Sequence, residues 1–87
     1  MTKEEVQSAV LRILGTIAPE ADLRQLKRDV PFRDQLDIDS MDLLNFFIAI
    51  DKELHVDIPE IDYPRVATLD GCVDYVISRL AGRASPR

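Results

Sequence analysis

One cysteine, Cys72, and one histidine, His55, are all the chain has of either residue. A single cysteine excludes an intramolecular disulfide, and one Cys with one His leaves no zinc site of the usual kind. The longest apolar run, Phe46 to Ile50, is far too short to span a membrane. Internal repeats, low-complexity runs and strand-like alternation are also missing. There is no basic excess: the net charge is −5, whereas nucleic-acid binding needs a basic footprint. The opening MTKEEVQ is charged and lacks the apolar core of a signal peptide, so a cytoplasmic location is expected.

What is present describes a small globular protein. A chain of 87 residues with 46% hydrophobic residues has the length of one domain and too much apolar content for disorder. Charge is concentrated in the middle. Residues 34 to 62 hold nine acids and a single base, Lys52, a local charge of −8. Such a segment either keeps a small protein soluble or steers partners with basic surfaces towards it.

Hydrophobic spacing predicts helices. Thr2 and Glu5 have capping-box spacing, and Val6, Ala9, Val10, Ile13, Leu14 and Ile17 form one stripe, so residues 2 to 17 read as a helix ended by Pro19. Residues 18 to 39 read as a long connection, with a helical turn or two expected within Leu23 to Arg28. Asp39 is an N-cap candidate for a second long helix reaching about Leu54, with Asp42 adding an acid to its first turn. A short helical piece is expected from Glu60 to Tyr63, opened by Pro59 and closed by Pro64. Thr68 reads as the N-cap of a last helix, Leu69 to Leu80, with Leu69, Cys72, Val73, Val76, Ile77 and Leu80 buried. The expected fold is all-α, a small bundle of three main helices plus a short one. Residues 1–80 are expected to form the domain and 81–87 a flexible tail.

The second long helix has two apolar faces. Phe46, Phe47, Ile50, Leu43 and Leu54 make a complete core stripe. Met41, Leu44 and Ile48 fall outside it, among Asp42, Asn45, Asp51 and Lys52. A partner protein or a second neighbour within the bundle would each use such a face. Ser40 stands just after the N-cap, where free backbone N–H groups and the positive dipole end converge. It either simply begins the helix or anchors a phosphate-bearing group there. His55 lies about four turns away at the other end, so a hydrolase triad around Ser40 is poorly supported.

The string from Asp39 to Val76 resembles acyl carrier proteins. It contains Asp39-Ser40-Met41, an acidic-apolar helix, the turn Ile58-Pro59-Glu60 and the closing Asp74-Tyr75-Val76; upstream, Phe32 and Leu36 match the approach to the serine. With the first helix, the resemblance covers about residues 3 to 80. It implies that Ser40 is esterified by 4′-phosphopantetheine, taken from coenzyme A by a phosphopantetheinyl transferase, and that Asp39 assists that reaction. The arm would hold acyl groups as thioesters for enzymes of fatty-acid, lipid or polyketide-type biosynthesis, and the chain itself would catalyse nothing. Met41, Asp42, Leu44, Asn45, Ile48, Asp51 and Lys52 would form the docking face for acyl-loading and acyl-transferring enzymes with basic surfaces. A monomer is the family norm.

The sequence departs from the family pattern at three places. Asp37 stands where the family usually has Gly, Asn45 where it has an acid, and Lys52 interrupts the acidic face. A specialised member with dedicated partners is the expectation. Phe46-Phe47 is a bulkier pair than the usual aliphatics. Two alternatives share the fold: an amino-acyl or peptidyl carrier, disfavoured by the Asp39-Ser40 pair, and an unmodified structural adaptor, which would need neither residue. Calcium binding by Asp37, Asp39 and Asp42 fails on the downstream spacing, so no metal is expected.

Overall fold

The computed structural model describes residues 1–84. Its elements are α1 (Lys3–Ile17), a 3-10 turn (Leu23–Gln25), α2 (Phe32–Gln35), α3 (Ser40–Leu54), a 3-10 helix (Glu60–Val66) and α4 (Leu69–Ala84). No strand occurs among the described residues. α1 packs against both α3 and α4, and the 3-10 helix packs on α4.

Local chemistry sets the long helices. Thr2 accepts from Glu5 N–H at 3.1 Å, while the Glu5 carboxylate accepts from Thr2 N–H at 2.8 Å, a full capping box. That bonding holds the Glu5 carboxyl below its usual range. The Thr68 hydroxyl accepts from Gly71 N–H at 3.0 Å, the expected cap of α4. Val6, Val10, Ile13 and Leu14 of α1 are buried together with Phe46, Phe47, Ile50 and Leu54 of α3 and Leu69, Cys72, Val73 and Val76 of α4. The anticipated stripes are thus the core, with Leu43, Ile77 and Leu80 packed half-buried at its margin.

Three expectations change. The 3-10 helix runs on to Val66 and passes through Pro64. In i→i+3 bonding a proline forfeits only its own donor, so Pro64 bends nothing that a short 3-10 segment needs. α4 extends four residues past Leu80, to Ala84, and the remainder of the expected tail, residues 85–87, lies outside the described residues. The connection contains α2, which the spacing had not suggested. His55 ends α3 at φ 56°, a left-handed cap whose N–H bonds Asp51 O at 2.8 Å.

Hydrogen bonds order the connection. Gln35 accepts from Lys27 N–H and donates to the carbonyls of Lys27 and Val30, all within 2.8–2.9 Å. Phe32 N–H bonds Ala67 O at 2.8 Å, and Asp70 N–H bonds Arg28 O at 3.0 Å. Arg28 also pairs with Asp70 at 2.8 Å. The segment leading to Ser40 is therefore tied to the start of α4. Tyr75 locks the 3-10 helix to α4. Its hydroxyl donates to Asp62 at 2.7 Å and accepts from Arg79 at 2.7 Å. The Arg79 and Arg65 guanidinium carbons lie 4.9 and 5.3 Å from the centre of its ring, a cation–π arrangement on each count.

Candidate functional site

Ser40 is the first residue of α3 and is exposed. Asp39 caps the helix: its carboxylate accepts from Asp42 N–H at 2.9 Å, and the Asp42 carboxylate accepts from Asp39 N–H at 3.3 Å. These reciprocal bonds leave the N–H groups of Ser40 and Met41, which no intrahelical carbonyl can reach, directed out of the helix start. A phosphate ester on the Ser40 oxygen would sit at the positive end of the helix with donors beside it.

A surface groove of about 410 Å³ begins at Ser40. Met41, Leu43, Leu44, Phe47 and Tyr63 line it, with Arg33 and Glu60 as its charged members. Its walls come from α2, α3 and the 3-10 helix. The residues present fit a phosphate ester at the helix start, through an accessible hydroxyl, orphan backbone donors and one cation, with an apolar trough beside it. Tyr63 and Phe47 are in ring contact, centroids 4.7 Å apart.

The expected docking residues occupy one side of α3. Met41, Asn45, Ile48, Asp51 and Lys52 are exposed, and Leu44 is half-buried where it enters the groove. Asp42 is half-buried and partly committed to its cap bond, so less of its carboxylate is free than the spacing implied. Met41 is 62% exposed and Ile48 44%, which places the second apolar face on the surface and not against a neighbouring helix. Arg33, Glu60 and Tyr63 at the groove, and Ile61 exposed on the 3-10 helix, are not site residues that the sequence singles out; Glu60 belongs to the Ile58-Pro59-Glu60 turn and Ile61 and Tyr63 follow it, while for Arg33 the only signal is its place beside Phe32. Among the described residues no group of three or more His, Cys, Asp or Glu is arranged to hold a metal, and no helix is long and apolar enough to cross a membrane.

A family model described as a phosphopantetheine attachment site matches residues 4–76. The chain belongs to that family. It is 27% identical over 79 residues to the mitochondrial acyl carrier protein of Neurospora crassa, a match covering 91% of this chain and 59% of that protein. It is 28% identical over 80 residues to the acyl carrier protein of Chlorobium phaeovibrioides, covering 91% of this chain and all of the relative. Among solved structures, a thermally stable acyl carrier protein from Enterococcus faecalis superposes with a TM-score of 0.75 at 27% identity, covering 90% of this chain and 98% of that one. The resemblance to acyl carrier proteins and the all-α fold are borne out. Members of the family are carriers rather than enzymes, they work with partner enzymes, and their cofactor is covalently held 4′-phosphopantetheine.

The cofactor ends in a thiol, and the chain's own thiol does not compete with it. Cys72 is fully buried in α4, and burial pushes its pKa from 9.0 up to about 12. A thiol reagent near neutral pH should find no reactive group in the native unmodified protein, one after the arm is attached, and one in the unmodified protein after denaturation. Reaction of the native unmodified protein at the rate of a free thiol would contradict this burial. The same shift has a stability consequence. The folded state keeps the Cys72 proton that the unfolded state loses, so its contribution is complete below pH 9.0 and is lost as pH rises towards about 12. Burial, with the Asp62 hydrogen bond, raises Tyr75 in the same direction.

Proposed function

We propose that this chain carries acyl groups on a 4′-phosphopantetheine arm esterified to Ser40. The observation that carries the reading is an exposed hydroxyl on the first residue of α3, held by the Asp39–Asp42 capping box at the mouth of an apolar groove. A transferase would join the Ser40 oxygen to the phosphorus of the pantetheine arm. The bond from that phosphorus to the adenosine bisphosphate portion of coenzyme A breaks, and the hydroxyl proton passes to a base. Asp39 fixes the approach by fixing the turn. The arm's thiol then holds cargo as a thioester and presents it to enzymes that dock on the stripe of Met41, Leu44, Asn45, Ile48, Asp51 and Lys52.

The acidic surroundings support partners with basic docking surfaces, drawn by long-range attraction that weakens as salt rises. Asn45 and Lys52 dilute that attraction, which supports a dedicated partner set. The chain works as a monomer in the cytoplasm in this reading. Intact mass after incubation with coenzyme A and a broad-specificity phosphopantetheinyl transferase tests it. One arm should be added to the native chain and none to Ser40→Ala. If neither that enzyme nor a cognate transferase modifies a folded sample while a reference carrier is modified in the same tube, the chain is an unmodified adaptor.

A further inference from the structure

The groove at Ser40 is floored by rings. Phe47, 3% exposed, and Tyr63, half-buried, meet at 4.7 Å with their planes tilted by 37°. Behind Phe47 stands Phe46 at 5.7 Å, and behind that Phe32 at 5.4 Å, edge to face. Phe46 and Phe32 are 0% and 1% exposed. Four rings therefore run in series from Tyr63 on the 3-10 helix through Phe47 and Phe46 of α3 to the buried Phe32 of α2, each in contact with the next. Interiors pack at crystal-like density, so a chain entering along this line would have to displace a ring that has nowhere to go.

We propose that Phe47 and Tyr63 set the size of the cargo: the acyl chain rests in the surface groove, is stopped by these two rings, and does not enter the core. This rests on the carrier reading of Ser40. The cargo class it names is a short acyl group. Tyr63 is the main determinant, because it alone of the four rings comes from the 3-10 helix and closes the groove from the side opposite α3. Each newly buried methylene favours the folded, cargo-holding state about fourfold. In this protein that gain ends once the chain reaches the rings.

The test uses the full chain loaded by transferase from acetyl-, butyryl-, octanoyl- and dodecanoyl-coenzyme A. Intact mass scores the loading by itself, so a failed carrier reading appears as no addition at all, before cargo length is compared. Thermal midpoints and amide shifts are then measured for each loaded form. In the native chain the midpoint should rise from acetyl to butyryl and stay level afterwards. Shifts should be confined to Met41, Leu44, Phe47 and Tyr63. In Tyr63→Ala the rise should continue through octanoyl and dodecanoyl, with shifts spreading to Val73 and Val76. Phe47→Leu, which keeps an apolar residue in the core, should do the same and serves if Tyr63→Ala does not fold. A native midpoint that climbs through dodecanoyl with Val73 and Val76 perturbed overturns the proposal. So does a folded variant whose length dependence matches the native chain.

Discussion

Phe46→Ala is expected to lose most of the stability of the domain. Phe46 is 0% exposed at the middle of α3 and touches both Phe32 and Phe47. Truncating a buried phenylalanine costs about 3–5 kcal/mol through lost transfer energy and the cavity left behind. A domain of this size holds roughly 5–15 kcal/mol in total and sits near the lower end because it buries less of its surface than a larger one. The edge-to-face partner Phe32 is left with an open flank, and α2, only four residues long, keeps its backbone and Gln35 hydrogen bonds but loses the ring contact of its one buried side chain. Urea unfolding followed by circular dichroism should show the midpoint falling by more than half with the denaturant slope unchanged. Phe46→Leu should cost about 1.5 kcal/mol or less, since it refills most of the volume. A loss below about 1 kcal/mol in the alanine variant would mean that the ring row collapses without penalty, and the packing argument would fail with it.

Gly71→Ala should be nearly as damaging, for a different reason. A Cβ at position 71 would lie 2.3 Å from the Arg65 carbonyl oxygen and 3.0 Å from the Thr68 hydroxyl. The first contact is with backbone, which cannot rotate away, and the second is with the group that caps α4. Either the 3-10 helix moves off α4 or the first turn of α4 unwinds. A cost of about 3 kcal/mol is expected, the upper part of the overpacking range. For a domain of this length that is a fall in melting temperature of roughly 12–24 °C. Amide shifts should localise the damage: residues 60 to 71 move, while α1 keeps its native positions. Because Tyr63 rides on the displaced segment, the groove beside Ser40 should widen as well. A melting temperature within about 2 °C of the native value would show that the Arg65 carbonyl yields freely.

The parts of the fold that could be read in the sequence are those fixed by neighbours in the chain. Thr2 with Glu5 and Asp39 with Asp42 announce helix starts because the bonds they make span only three residues. The stripes of α1, α3 and α4 follow from the same short-range period. α2 escaped notice because its order comes from elsewhere: Gln35 reaches back to Lys27 and Val30, and Phe32 N–H bonds a carbonyl at Ala67. The left-handed cap at His55 was equally hidden, since glycine or asparagine is the usual occupant of that conformation. At the candidate site, the places of Asp39 as cap and Ser40 as first residue of α3 were legible and the groove was not. Phe46-Phe47 could be placed in the core stripe, but whether the pair opens or fills the interior depends on Tyr63, sixteen positions beyond Phe47, on another element.

Asp39 and Asp42 clamp the first turn of α3, so the backbone from which the Ser40 hydroxyl projects is a fixed pivot. A tether hung from such a pivot sweeps its tip through a small, fixed volume. On the carrier reading proposed for Ser40, an enzyme docked on the neighbouring stripe would meet the cargo at an effective concentration on the order of millimolar, however dilute the carrier is in bulk. The geometry of one helix cap would thus convert an encounter between dilute molecules into a search within a single complex, and a brief, weak dock would be enough for transfer.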